Sequence, residues 1–332
     1  MEEIEESLAL KYGLKRGLTL SRIEAGFLSE NYKVRTDEGD FFLKRYRFED
    51  KEKIEEIHRV KRYFSSKGIP VILPIRTRTG STYFSLGTRH FALFPFVMGR
   101  HYDRGTMPPQ VIETLGAFAA RLHRAGAECD FTTKESMADR IADAFLTEAR
   151  QIIGIIRTIE RKSPFDELAL ESLLLKIQLV ERDSQPVIGP AIGKPILLQG
   201  DLHEQNIFFD EAGQVKWIFD FEKAVTGYRS FELWRSVDYM FINGDFSDKR
   251  VGDAVLFLKA YHRENPIGEA ELMAGLDFYY QRLIHSLWVE KEHYLKHSAR
   301  TDHFLENRSI RYLSENMPAF KERIKSGIYR QI

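Results

Sequence analysis

The chain reads as an α+β protein of two lobes: a small antiparallel β-sheet with one helix over residues 1–97, then a larger, mainly helical lobe over 98–332. Three observations carry this. At 332 residues the chain exceeds what one compact core usually organises. Strand-like runs punctuated by turn residues fill most of the first 97 positions, and apolar residues at helical spacing fill most of the rest. One hairpin pattern, LLQGDLHEQNIFFDEAGQVKWIFDFE at 197–222, interrupts the helical part and carries polar groups at both of its ends.

Residues 2–12 set Ile4, Leu8 and Tyr12 on one face and predict a short amphipathic helix. TLSRIEA, NYKVRT and FFLKRY predict three strands, joined by AGFLSE and by the tight turn DEGD. In the third strand Lys44 shares a face with Phe42 and Tyr46, opposite Leu43. EDKEKIEEIHRVKRYFSSKGIP has helical periodicity at Ile54, Ile57, Val60 or Lys61, and Phe64, stopped by Gly68 with Pro70 beyond. VILPIRT, STYFSLG and HFALFPFV predict further strands, and Met98-Gly99-Arg100 a strap between the lobes.

The second lobe opens with PPQVIETLGAFAARLHRAG, a helix with prolines at its start, Gly126 near its end, and Val111, Leu115, Phe118 and Leu122 on one face. His123 reads as a core or capping histidine. Residues 134–183 are largely helical with a break near SPF. After the hairpin, RSFELWRSVDYMF, AVLFLKAYH and LDFYYQRLIHSLWVEKEHYLKH predict further helices. There is no internal repeat and no low-complexity segment.

The chemistry lies in the hairpin. Asp201 and Asn206 stand five apart in a tight polar turn, and Asp220 follows nineteen residues after Asp201 at the end of an apolar strand. Alone, Asp and Asn at that spacing read as a turn whose side chains bond neighbouring backbone. Between two strands, they are brought into one cleft with Asp220. Phosphoryl transfer from ATP needs this set: a carboxylate to orient or deprotonate a hydroxyl, and an amide with a second carboxylate to hold Mg²⁺ on the phosphates. Protein kinases order these groups as Asp-x-x-x-x-Asn, then Asp-Phe-Gly; here the last part is Asp220-Phe221-Glu222. The chain reads as a kinase, though not as an ordinary protein kinase.

The first lobe supplies matching nucleotide contacts. The small turn before Asn31, with Gly26 and Ser29, is placed to cradle phosphates with backbone N–H groups, although it lacks Gly-x-Gly-x-x-Gly. Lys44 on an inward face calls for an anionic partner; the competing reading is an edge-strand lysine. Glu52, Glu55 and Glu56 are the helix residues available to pair with it, with Glu56 favoured for its place beside the apolar stripe. An adenine ring at the strap would bond the backbone N–H of Phe94, Phe96 or Val97, because Pro95 has none.

Composition narrows the setting. Lys+Arg and Asp+Glu number 49 each, so the formal charge is zero, and the basic excess of a nucleic-acid binder is missing. Cys129 is the only cysteine, which excludes an intrachain disulfide and fits a reducing compartment. The acidic start MEEIEESLALKYGL does not resemble a signal peptide, and no apolar run reaches the length of a membrane span. A cytoplasmic protein is expected, without a membrane partner.

Together these features resemble the aminoglycoside phosphotransferase and choline kinase superfamily, whose members share a bilobal protein-kinase-like fold. The resemblance rests on Gly200-Asp201-Leu202-His203, Asn206-Ile207 and Asp220-Phe221-Glu222, and extends to Lys44 in FFLKRY, GIPV at 68–71, FVMGR and RLHRAG. Within it, the chain is most similar to the spore-coat-kinase-like and bacterial stress-response-kinase-like branches. The resemblance implies that Asp201 is the catalytic base, that Asn206 and Asp220 bind Mg²⁺, and that Lys44 contacts the α/β-phosphates of ATP. It implies that Glu222 assists metal binding. His203 takes the place where protein kinases carry a lysine near the transferred phosphate; it stabilises charge there or holds the loop. Two departures stand out: Gln199 where many members have a loop-scaffolding histidine, and Glu232 where they often have aspartate.

The expected activity is therefore ATP- and Mg²⁺-dependent phosphorylation of a hydroxyl on a small molecule or a protein Ser/Thr. Glu232, Trp234, Asp238, Tyr239, His285, Trp288 and Glu292 are available to line a pocket for a cationic amine, but aromatic residues at helical spacing more often pack a core. The competing expectation is a pseudokinase, a nucleotide-binding or assembly module without turnover. Retention of Lys44, Asp201, Asn206 and Asp220 argues against it, and the altered Gln199 keeps it open.

Overall fold

The computed structural model describes residues 2–15, 17–23, 30–137, 142–183, 190–298 and 307–330. The chain divides into two compact units. The first comprises residues 1–101 with two short returns, 199–201 and 205–224; the second holds the rest.

In the first unit, helix α1 (Glu2–Tyr12) buries Ile4 and Leu8 against a five-stranded antiparallel sheet. The strands are β1 (Thr19–Ile23), β2 (Glu30–Thr36), β3 (Gly39–Arg45), β4 (Phe84–Leu86) and β5 (Arg89–Pro95), in the order β1-β2-β3-β5-β4. Alternation decides which side chains go inward. Leu43 and Leu93 are paired across β3 and β5 and fully buried on the α1 side, while Ala92, Phe94 and Tyr46 pack with Ile54 of helix α2 (Lys51–Ser66). Asp50 caps α2, its carboxylate accepting from the N–H groups of Glu52 and Lys53. Gly68, at φ +77°, turns the chain away after the helix.

The strand expected at VILPIRT is irregular. Pro70 and Pro74 lack the N–H a ladder needs, and the segment makes single backbone contacts instead: Ile75 N–H to Leu93 O, and Ile218 N–H to Pro70 O. The hairpin strands β7 (Ile207–Phe209) and β8 (Val215–Ile218) belong to this unit for the same reason. Val71 bridges Ile218, and Arg100 exchanges two backbone hydrogen bonds with Phe209. A division at residue 97 therefore separates segments that backbone bonds hold together: the compact unit runs through His101 and includes the hairpin.

The second unit contains helices α3 (Pro109–Ala127), α4 (Ala142–Arg157), α5 (Pro164–Asp183), α6 (Arg229–Val237), α7 (Asp248–Glu264), α8 (Glu269–Ile284), α9 (Trp288–Tyr294) and α10 (Arg308–Tyr329), and the two-stranded pair β6 (Ile196–Leu198) and β9 (Val225–Gly227). Gly116 lets α3 approach the α7 backbone, since a Cβ there would meet the carbonyl of Phe257. The long apolar pattern at 276–297 forms two helices, α8 and α9, with His285–Leu287 between them. No helix among the described residues is long and apolar enough to cross a membrane.

Candidate active site

The loop after β6 is built for close approach. Gly200 adopts φ +84°, and a Cβ there would collide with the backbone carbonyl of Lys223. Only glycine lets the two loops touch. Gln199, fully buried, fastens them: its amide N–H₂ donates to the carbonyls of Phe219 (3.2 Å) and Asp220 (2.5 Å), and its carbonyl accepts from Asp201 N–H (2.7 Å). Glutamine thus scaffolds the loop through its amide. The clamp also explains how Asp220 is held at φ +54°, a region costly for a residue with a Cβ.

Asn206 donates from Nδ2 to the Asp201 carbonyl (2.9 Å), which orients its amide against the Asp201 loop. The Asp201 carboxylate is nearly buried, and Oδ1 pairs with Lys223 Nζ at 3.1 Å. Phe221 lies fully buried against Phe64 of α2 and anchors the Asp220–Glu222 segment.

Lys44 projects from β3 to this segment. Its Nζ stands 2.7 Å from Glu222 Oε1 and 3.2 Å from Asp220 Oδ1. Burial alone would lower the Lys44 pKa; Asp220 and Glu222 outweigh it and hold the ammonium above its usual range. Burial pushes the Asp220 carboxyl up, and the nearby Lys44 charge brings it net below the usual carboxylate range. Glu222 Oε2 faces Arg47 at 3.5 Å.

The carboxylates that pair with Lys44 in this structure are Glu222 and Asp220. Glu56 forms its ion pair with Arg59 (3.5 Å), and Glu55 accepts from Tyr83 OH (3.2 Å). Helical geometry is the reason. The face of α2 that meets the sheet carries Ile54, Ile57, His58, Lys61 and Phe64, so the three glutamates point elsewhere and Lys44 finds its carboxylate in Glu222. Lys61 was missed as a site residue. Its ammonium is buried 4.4 Å over the Phe94 ring and donates to Ile72 O (3.2 Å). Burial, assisted by the Lys44 charge, brings its pKa down to about 7. A lysine within the apolar stripe was the signal available in the sequence.

Of the strap donors, Phe94 lies inside β5 opposite Phe42, and Phe96 N–H already donates to Asp40 O (3.3 Å). Val97 N–H has no acceptor among the described residues, which makes it the strap donor open to a base. Gly26 and Ser29 lie outside the described residues.

Two residues beyond Asp201, His203 belongs to the second unit, where its ring packs on Tyr239 with centroids 5.9 Å apart. Glu204 beside it is buried and accepts from Arg104 Nε (3.2 Å). Three of the seven candidates for an amine pocket, Glu232, Trp234 and Asp238, are hydrogen-bonded to their own surroundings in the second unit. Glu232 bonds His123 (2.7 Å), Trp234 donates to Leu272 O (2.7 Å), and Asp238 accepts from Tyr279 (2.6 Å) and Ser309 (2.8 Å). Tyr239, by contrast, is exposed, with the Arg235 guanidinium 4.6 Å from its ring.

The donor set suits a hard cation. Asp220, Glu222 and the Asn206 amide offer oxygens only, and the Lys44 ammonium already stands where positive charge is favoured. Among the described residues no three His, Cys, Asp or Glu side chains gather as a metal group. Two carboxylates and an amide leave coordination places for phosphate oxygens and water, as Mg²⁺ requires.

Comparison with known proteins gives the family of the chain. The family described as the phosphotransferase enzyme family matches residues 19–267. A homoserine kinase of Methylobacillus glycogenes is 25% identical over 280 residues, covering 82% of this chain and 81% of its own length. Among solved structures, a microcompartment-associated aminopropanol kinase superposes with a TM-score of 0.65 at 16% identity, covering 97% of this chain and 99% of that one. An amicoumacin kinase, solved with AMP-PNP and Ca²⁺, gives 0.61 at 18% identity over 97% and 92%.

Proposed function

The chain belongs to the phosphotransferase enzyme family, and from that premise we propose that it transfers the γ-phosphoryl group of ATP to a hydroxyl of a small amino alcohol or hydroxy amino acid. As a member of that family it is a phosphotransferase acting on a hydroxyl acceptor. The observation that carries the finer reading is the joining of Lys44, Asp201, Asn206, Asp220 and Glu222 within one compact unit. The acceptor class follows the names of the relatives: homoserine and aminopropanol each bear an amine and a hydroxyl.

In this reading Val97 N–H receives the adenine edge and Lys44 exchanges its carboxylates for the α/β-phosphates. Asp220 and Asn206 would hold Mg²⁺, assisted by Glu222. Mg²⁺, when bound, screens charge on the phosphates and fixes their geometry. Asp201 orients the acceptor hydroxyl and takes its proton as the new phosphorus–oxygen bond forms. Gln199 keeps Asp201 and Asp220 in register throughout, because it bonds the backbone of both.

The test is ADP release from MgATP in the presence of L-homoserine, 1-amino-2-propanol, ethanolamine and an aminoglycoside, beside the Asp201→Asn variant. Acceptor-dependent release that the variant loses supports the reading. Tight MgATP binding with no release for any acceptor would favour a non-catalytic nucleotide-binding module.

A further inference from the structure

Lys223, the residue after Asp220-Phe221-Glu222, has no role in the scheme above. We propose that its ammonium contacts the transferred phosphoryl group, delivered by the metal-side loop instead of by the catalytic loop. The proposal rests on the kinase reading.

Four observations support it. First, Lys223 Nζ lies 3.1 Å from Asp201 Oδ1, the carboxylate that meets the acceptor hydroxyl. The acceptor oxygen and the phosphorus it attacks must both come within a few ångströms of that point. Second, the pair is lopsided: the lysine side chain is 51% exposed and the aspartate 11%. A half-exposed lysine gains little stability from such a pair, so its place beside the carboxylate calls for another role. A phosphoryl group arriving there meets the ammonium.

Third, the reach is set by backbone. The missing Cβ of Gly200 admits the Lys223 carbonyl, and Ala224 N–H closes a turn onto Phe221 O (3.0 Å). Lys223 is therefore fixed against the Asp201 loop whether or not its side chain is paired. Fourth, the neighbouring cations Lys44 and Arg47 pair with carboxylates other than Asp201. Lys44 is held by Asp220 and Glu222, and Arg47 faces Glu222. The loop position two residues after Asp201 carries a histidine whose ring rests on Tyr239.

Charge on the equatorial oxygens of the transferred group is stabilised by cations placed beforehand. In the step, the bond from phosphorus to the ADP oxygen breaks and the bond to the acceptor oxygen forms. The hydroxyl proton passes to Asp201. The Lys223 ammonium shifts from Asp201 Oδ1 to a phosphoryl oxygen and keeps its protons.

The experiment is calorimetric titration of AMP-PNP and of ADP, each with Mg²⁺, into the wild type, Lys223→Met, Asp201→Asn and the double variant. If Lys223 touches the γ-phosphate, Lys223→Met weakens AMP-PNP binding about tenfold or more, the scale of a charge-assisted hydrogen bond. ADP affinity stays within about twofold, which also certifies the fold. The same loss appears in the Asp201→Asn background, and Lys223→Arg restores most of it. An unchanged ratio of AMP-PNP to ADP affinity overturns the proposal. So does a loss that vanishes once Asp201 is neutral, which would mean that Lys223 acts only by neutralising Asp201. A wild type that binds neither nucleotide overturns the kinase reading itself, a result distinguishable from both.

Discussion

Replacing Lys61 with methionine should stabilise the protein near neutral pH, and the gain should shrink as pH rises. The Lys61 ammonium is buried, and its one hydrogen-bond acceptor among the described residues is Ile72 O at 3.2 Å. The Phe94 ring at 4.4 Å adds a cation–π contact. Its pKa consequently falls from 10.5 to about 7. At about 1.4 kcal/mol per tenfold change in proton affinity, burying the charge costs roughly 5 kcal/mol. Below pH 7 both folded and unfolded chains are protonated at this site, so the cost is present in full. Between about 7 and 10.5 the unfolded chain binds the extra proton, and stability rises with pH until the cost is gone. Methionine fills similar volume without charge, and substitutions of buried charge by apolar groups commonly gain about 1–4 kcal/mol. Urea unfolding of both proteins at pH 6 and pH 9.5 measures the difference, which should fall by roughly 3 kcal/mol between them. A destabilised variant at pH 6, or a gain equal at both pH values, would refute the reasoning.

Four further outcomes are expected. Asp201→Asn should keep nucleotide binding and cut turnover by about 10²–10⁴-fold, the range for losing a general base; full activity would remove Asp201 from that role. Asp220→Ala should weaken nucleotide binding in Mg²⁺ more than in EDTA, and equal calorimetric affinities would count against a metal ligand. Lys44→Ala should raise the apparent KM for ATP or lower kcat, whereas unchanged kinetics would leave the lysine as a structural partner of Glu222. Gly200→Ala should cost about 1–3 kcal/mol by strain at positive φ, and it should also reduce turnover by pushing the Lys223 loop from Asp201; a melting temperature equal to wild type would contradict the contact.

Local pattern told most about the strands and helices whose burial follows one face. The β1–β3 run, α2 and α3 announce themselves because alternation or helical spacing persists over several residues and ends at Gly, Pro or Asp. VILPIRT misled because its apolar residues are buried (Val71) or half-buried without a ladder, a state that prolines permit and periodicity cannot separate from a strand. At the candidate site, spacing singled out Asp201, Asn206 and Asp220, and the structure keeps all three in one compact unit with the hairpin. Spacing did not reveal which carboxylate holds Lys44. That choice depends on how α2 is rotated against β3 and β5, and three adjacent glutamates look equivalent until Ile54, Ile57 and Phe64 define the inner face.

The same rotation explains why a lysine can occupy the interior beside Lys44. With Glu222 supplied from the loop after β8, Lys44 needs no acid from α2, and the helix face is free to carry Lys61 under Phe94. The first unit then sets Lys44, Lys61, Arg47 and Lys223 around Asp201, Asp220 and Glu222. Every carboxylate faces a cation of the chain itself, and the cations exceed the carboxylates by one. In the proposed reading, metal and phosphate would enter as an exchange: a divalent ion would take over Asp220 as phosphate oxygens take over Lys44. Neither alone satisfies both partners of the broken pair, and the largely buried Lys44 ammonium would carry its desolvation cost uncompensated. Metal and nucleotide should accordingly bind far better together than apart, and the coupling should weaken when Lys44 is removed, since the carboxylates then lack a cation to exchange.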